Sequence, residues 1–495
     1  MKLFNKISAL ALAAAMTVGL AACGSQTEQS GSVIVDENGQ VSLSGNTINV
    51  SGRAAKASTK VTPEEVYTLT VRGVDKDDMP IGGFLGPTDY YRGNGYKLDS
   101  LITDDVFKKL ADCGLNYVID TKNSAIGDYG ETLLDLADRH GISWYMRYDD
   151  IMSLDNVNTL KVETAENMAE ALRPLLSHER FAGLYGRDEP SEIYFQYIKQ
   201  ALSNFREAMA ILGNEAKDLG VYVNLFPQVG GTQLSGTDKP ITYQQYLDGF
   251  YDCDPFFLEF DSYPITGLEN TVAGGWLNYL GTMNRSAKAN GVAWQGFAQA
   301  GGNFSDVPGA HRITNENELN YDVNTMLAFG AKGINYFPCC FPPEWVIYTT
   351  EENTNDNSLI NKYGTTTPTY YYAQKINNNI KAMAPYLMNS AHMGVILNGD
   401  GVCAYSASAP DKLDSFRQLK SVGGDPSLVG CFDYKGGSAF VVVNNTLTEH
   451  RGEIRLDFDD NYEYTVIQRG TTNNVIAESF VLTLEAGECA LVVVK

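Results

Sequence analysis

Short apolar runs and amphipathic stretches alternate along most of this chain. Beginning near Tyr67, apolar segments of strand length recur at "PIGGFLG" from Pro80, "LNYVID" from Leu115, "ISWYMRYD" from Ile142, "FAGLYGRD" from Phe181, "VYVNLFPQ" from Val221, "FFLEFDSYP" from Phe256, "VAWQGFAQ" from Val292 and "INYFPCCF" from Ile334. Between them lie stretches such as "TDDVFKKLADCG", "TAENMAEALRPLLSHER" and "NELNYDVNTMLAFGAKG". Their apolar residues fall three and four apart, the spacing that buries one face of a helix. Several end in Gly immediately before the next strand, as expected where a helix closes in the left-handed conformation. With "YYYAQKINNNIKAMAPYLM" as an eighth helix, the pattern predicts a (β/α)8 TIM barrel rather than an open sheet.

From about Gly394 the rhythm changes to short strands and turns, including "GVILNGDGVCAYSA", "SLVGCFDYKGGSAFVVVNN" and "SFVLTLEAGECALVVVK". With no helices among them, these predict an appended antiparallel β-sandwich. Upstream of the barrel, "VIVDENGQVSLSGNTINVSG" alternates apolar and polar residues around turn signals and reads as a small hairpin. The organisation that follows is a leader over 1–22, a tether and small β segment over 23–66, the barrel over 67–390 and the sandwich over 391–495. The length, 495 residues, suffices for one large and one smaller core.

The first residues, "MKLFNKISALALAAAMTVGLAACGSQ", place Lys2 and Lys6 before an apolar run and a set of small residues, the layout of a secretory signal. The stretch Leu20 to Gly24 resembles the lipobox of bacterial lipoproteins. That resemblance implies cleavage before Cys23, lipidation of its thiol and a protein tethered to the cell membrane, facing away from the cytoplasm. The alternative is an ordinary signal peptide with an incidental cysteine.

Charge and composition then exclude several functions. A formal net charge of -23 repels nucleic acids and anionic headgroups, so the expected membrane link is the lipid alone. The five histidines are scattered, and neither an H-E-x-x-H motif nor a G-x-S-x-G elbow occurs. No C-x-x-C pair is present among the eight cysteines, and mostly free, buried thiols are expected. Nothing calls for a metal or a cofactor.

In a barrel of this kind chemistry collects at the C-terminal strand ends. Here those ends are polar: Arg147, Asp149 and Asp150 on the third strand, Arg187, Asp188 and Glu189 on the fourth, and Asn224 on the fifth. The sixth carries Glu259, Asp261 and Tyr263 at period two, and the seventh Gln295 and Gln299. Trp294, Tyr336 and Glu344 complete the expected rim.

This pattern resembles the clan A glycoside hydrolases, particularly the β-galactosidase-like members. In that group the fourth strand ends in Asn-Glu, usually followed by Pro, and the glutamate is the general acid/base. The "RDEP" segment places Asp188 at the Asn position and Glu189 at the Glu position. The segments "GAKGINYFPCCFPPE" and "LINKYGTTTPTYYYAQKINNNI" are also similar, so the resemblance spans about residues 75 to 390. It implies a carbohydrate substrate and a glutamate nucleophile at the end of the seventh strand. "AWQGFAQA" offers only Gln295 or Gln299 there, and a neutral amide cannot form a glycosyl ester.

The partner of Glu189 is therefore sought first in Asp261 and Glu259, then in Glu344. Asp188, Arg147, Asp149, Asn224, Tyr263, Trp294, Gln295, Gln299, Tyr336 and Glu344 are expected to bind substrate. Plainer readings stand beside these: "DEPSE" as a helix cap, Glu259 as a satisfied structural acid, and Trp294 and Tyr336 as core. At the level of function, the alternative to a glycosidase is a non-catalytic carbohydrate-binding surface lipoprotein on a degenerate barrel.

Overall fold

The computed structural model describes residues 34–35, 41–42, 47–89, 99–124, 128–154, 160–266, 271–302, 313–341, 357–448 and 451–495. Eight parallel strands form the central barrel: β1 (Ile81–Phe84), β2 (Tyr117–Ser124), β3 (Ser143–Arg147), β4 (Phe181–Asp188), β5 (Gly220–Asn224), β6 (Leu258–Phe260), β7 (Trp294–Gln299) and β8 (Ile334–Phe337). Each is followed by a helix: α1 (Asp104–Cys113), α2 (Asp128–His140), α3 (Ala165–Leu172), α4 (Phe195–Leu212), α5 (Tyr243–Tyr251), α6 (Trp276–Ala289), α7 (Glu316–Ala328) and α8 (Pro368–Leu387). Neighbours in sequence pair in parallel from β1 to β5 and from β6 to β8, and β8 pairs with β1. Between β5 and β6 the circle closes through Leu225, whose N–H donates to Glu259 O at 3.0 Å and whose carbonyl accepts from Asp261 N–H at 3.3 Å.

Local chemistry fixes the helix ends. Thr103 caps α1 by accepting from the Val106 N–H, and Gly114 closes it at φ 95°. Capping boxes start α5 (Thr242 with Gln245) and α7 (Asn315 with Glu318), so donors that would lack partners are met by side chains.

The period of two sorts each strand into a lumen face and a helix face. Phe84, Tyr117, Ile119, Tyr145, Tyr222 and Phe297 fill the lumen, with Phe84 edge-on to Phe297 at 5.2 Å. Val118, Trp144, Leu184, Phe260, Trp294 and Tyr336 face outward and pack with the helices. Gly82 is required where it stands, because a Cβ there would lie 2.2 Å from the Tyr117 ring.

The C-terminal domain contains β9 (Ser390–Asn398), β10 (Leu419–Gly424), β11 (Ser427–Tyr434), β12 (Gly437–Asn444), β13 (Gly452–Gln468), β14 (Thr471–Leu484) and β15 (Cys489–Val494). They form a sandwich-like sheet in the order β9-β11-β12-β15-β13-β14, with β10 paired to β13. One face encloses Phe440, Leu456, Tyr464 and Val492, each side chain contributing about 1.5–3 kcal/mol through burial. The other face lies on the barrel helices. There Tyr321 of α7 donates to Asn445 Oδ1 at 3.0 Å, and Asn324 donates to Gly487 O at 2.9 Å.

The upstream segment divides differently from the single hairpin expected. Ile34–Val35 pairs antiparallel with Val41–Ser42, whereas Thr47–Asn49 adds a parallel strand to the edge of β14. The unpaired main-chain groups of that edge are the physical reason, since an exposed edge recruits any strand that can satisfy it. Val50, Lys56 and Val61 then donate main-chain bonds to Ile476, Asn461 and Gly436, binding the segment along the C-terminal domain. The seven cysteines among the described residues are buried thiols. No described helix is long and apolar enough to cross a membrane.

Candidate active site

At the end of β4 the backbone turns sharply, with Glu189 at φ 44°. A non-glycine residue in this left-handed region costs about 1–3 kcal/mol, so surrounding contacts must hold it there. Asn224, at the end of the adjacent β5 and 1% exposed, supplies two of them. Its main-chain carbonyl accepts the Glu189 N–H at 2.9 Å, and its Nδ2 donates to Asp188 Oδ1 at 2.7 Å.

The turn brings the Glu189 carboxyl into hydrogen-bonding contact with Asp261, which follows β6. Burial, and then the charge of Asp188, push Glu189 up to about 6. Asp261 is raised further, by burial first and then by the charges of Glu189 and Asp188. Two carboxyls this close cannot both ionise without mutual repulsion, so the pair retains a proton near neutrality. Their contact favours the proton on Asp261, with Glu189 as acceptor.

Glu259, on the same strand, is fully buried. Its Oε2 accepts from Gln295 Nε2 at 2.7 Å and its Oε1 from Asn335 Nδ2 at 3.0 Å. Tyr117 donates to Gln295 Oε1 at 2.9 Å, and Asn335 Nδ2 also reaches the Tyr222 hydroxyl at 3.0 Å. Burial pushes Glu259 up to about 7, against the opposing effect of its bonds to Asn335, Tyr222 and Gln295. Tyr263 joins the group, its hydroxyl made harder to ionise by burial and then by Asp261, Asp188, Glu189 and Glu259. Its ring rests 5.4 Å from that of Phe337.

Asp188, Glu189, Asn224, Asp261 and Tyr263 thus come together at the C-terminal strand ends, whereas Glu259 lies deeper and Gln295 deeper still: it is the second residue of β7 and is bonded to Tyr117, the first residue of β2. Arg147 and Asp149 stand at the end of β3, on the same side, as a forked pair at 3.0 and 3.1 Å. Gln299 uses both ends of its amide on the main chain of Ile265, at 3.1 and 2.9 Å, and its own N–H donates to Asp322 at 2.8 Å.

Trp294 and Tyr336 require a correction. Both face the helix layer, where Trp294 Nε1 donates to Asn284 Oδ1 at 3.2 Å and the Tyr336 hydroxyl to Asn377 Oδ1 at 2.8 Å. Strand alternation explains it: Gln295 and Asn335, their immediate neighbours, occupy the lumen face. Asn335 and Tyr222 are the site residues that sequence reasoning missed, although the same alternation in "INYF" and "VYVN" marks them. Glu344 and Cys23 lie outside the described residues. No group of three or more His, Cys, Asp or Glu suited to hold a metal ion occurs among the described residues.

No protein-family model matches this chain, and no curated protein resembles it closely enough to count as a match. Solved structures do resemble it. A catalytic mutant of a GH42 β-galactosidase from G. stearothermophilus is 9% identical, with 87% of this chain and 99% of that chain covered and a TM-score of 0.50. The two share a fold. The cold-adapted β-galactosidase from Rahnella sp. R3 is 10% identical over 87% of this chain and all 100% of its own, with a TM-score of 0.46. An Anoxybacillus α-amylase is 12% identical over 85% of this chain and 98% of its own, with a TM-score of 0.42.

Proposed function

We propose that the protein is a glycoside hydrolase acting on oligo- or polysaccharide outside the cytoplasm, with Glu189 as the general acid/base. The observation that carries this reading is the contact between Glu189 and Asp261 beside Asp188, which keeps a proton at a strand-end carboxyl pair near neutral pH. Hydrolysis needs that proton on the glycosidic oxygen as its bond to the anomeric carbon breaks. Glu189, at about 6, is suited to deliver it, and Asp261 to replenish it through their shared contact. Water adds to the anomeric carbon, and the proton it gives up returns to the pair.

A hydrogen-bonded pair is closer than the roughly 5 Å or 6.5–9.5 Å that separates carboxyls on opposite sides of a scissile bond. Asp261 is therefore assigned to the same side as Glu189, as its proton partner. Glu259 is assigned as the charge that ionises near neutrality deeper in the lumen. The residues expected to hold the sugar are Asp188, Asn224 and Tyr263, with Arg147 and Asp149 at the rim.

One observation favours the second reading, a non-catalytic carbohydrate-binding lipoprotein. Both β7 glutamines are engaged internally, Gln295 with Glu259 and Gln299 with Ile265, so β7 supplies no second carboxylate. Screening the purified protein against aryl glycosides and oligosaccharides separates the two. Hydrolysis that disappears in Glu189→Gln supports the enzyme; binding without turnover supports the alternative. The proposed location rests on the leader and Cys23, whose thiol would carry the lipid.

A further inference from the structure

The carboxyls at the mouth bond to neutral groups and to one another rather than to cations, and the rim cation Arg147 is paired with Asp149. Glu189 and Asp261 bond to each other and to main-chain groups, and neither is bonded to a lysine or arginine. Arg187, the nearest arginine in sequence, turns away: it donates to Leu154 O and lies over the Tyr194 ring at 3.7 Å.

A second observation is independent of charge. Two buried oxygens at these strand ends have no hydrogen-bond partner: Asn224 Oδ1 and Asp261 Oδ1. Asn224 is 1% exposed, so bulk water does not satisfy it. The orientation of its amide is set by the nitrogen, which donates to Asp188. The free amide oxygen is therefore an acceptor, and a buried acceptor left unpaired costs about 1–3 kcal/mol.

The chemical complement of such a site is a small, positively charged group with several donors. A sugar hydroxyl brings one donor and no charge, whereas a protonated primary amine brings three N–H groups and a full charge. A uronate or sulfate would add an anion to carboxyls that already repel one another. Resting on the glycan-site reading above, we propose that this mouth selects sugars bearing a free amine, such as glucosamine-type units, over their N-acetylated, neutral and acidic counterparts.

The proposal carries a signature that a neutral ligand lacks. An ammonium group beside Glu189 and Asp261 favours their ionised forms, so binding near pH 6 must release part of the proton the pair holds. A neutral sugar has no such coupling.

The experiment is calorimetric titration of the whole protein at pH 6 and low salt, in two buffers of different ionisation enthalpy. The probes are a β-linked glucosamine oligomer, its N-acetylated form, a neutral hexose oligomer and an oligo-uronate. The amine oligomer should bind at least about tenfold more tightly than the others, with proton release, and its advantage should shrink as salt is raised. Asp261→Asn should reduce that advantage severalfold; Asp188→Asn serves the same purpose if the first variant does not fold. Equal affinity for the N-acetylated or neutral oligomer, or amine binding without proton release, overturns the amine preference and leaves the glycan-site reading standing. Binding of none of the four overturns both.

Discussion

Gln295 and Glu259 stand side by side, in register on the adjacent strands β7 and β6, the amide nitrogen of one donating to the carboxylate of the other at 2.7 Å. At this position on β7 a carboxylate would repel Glu259; the amide instead satisfies it. Gln295→Leu should leave Glu259 Oε2 without its donor and lower stability by about 1–3 kcal/mol, as read by urea denaturation. An unchanged midpoint would show that the bond is dispensable.

Glu189→Gln preserves shape while removing the proton. Hydrolysis should fall by about 100- to 10,000-fold, with oligosaccharide affinity little changed in a direct binding measurement. In the parent protein, the proposed turnover should decline as pH rises past about 6, where Glu189 loses its proton. A variant as active as the parent would reduce Glu189 to a neighbour of the helix start.

Glu259 makes stability depend on pH. Its folded value, about 7, lies above its ordinary 4.5, so between these limits the native state holds a proton that the unfolded chain has released. The resulting stabilisation is complete below pH 4.5 and is lost as pH rises through about 7, amounting to about 3 kcal/mol. Denaturation series from pH 4.5 to 8 should show this decline in the parent and a flatter profile in Glu259→Gln. Equal slopes would mean that Glu259 does not titrate in this range.

Tyr336→Phe separates packing from recognition. Loss of the hydroxyl strands Asn377 Oδ1 beneath the helices and should cost about 1–3 kcal/mol in thermal or urea unfolding. Glycan affinity should be unaffected, and a large change in it would return Tyr336 to the binding site.

Cys23→Ala tests the tether. The variant should move to the soluble fraction or stall before processing, with a mass lacking lipid. Membrane fractionation and mass identical to the parent would rule out the anchor.

Most of the barrel was legible because its signals are local. Period-two strands, helix caps and terminal glycines each report their own element, and β4 and β6 displayed Glu189, Glu259 and Asp261 in readable alternation. What escaped depended on contacts between distant segments. No local pattern says that Asn335 meets Glu259, that Asp261 reaches Glu189, or that Thr47–Asn49 joins β14. Trp294 and Tyr336 were assigned by residue type, although the alternation that exposed Glu259 and Asp261 also turns them outward.

The parallel strand that Thr47–Asn49 adds to β14 also determines how the molecule bears tension. A pull from upstream meets the Ile34–Val35 and Val41–Ser42 pairing, then this short ladder, then the main-chain bonds of Val50, Lys56 and Val61 to the C-terminal domain. The barrel lies downstream of all of them. Were the proposed anchor at Cys23 to pull, the C-terminal sheet would take the strain before the barrel, leaving the Glu189–Asp261 geometry unloaded.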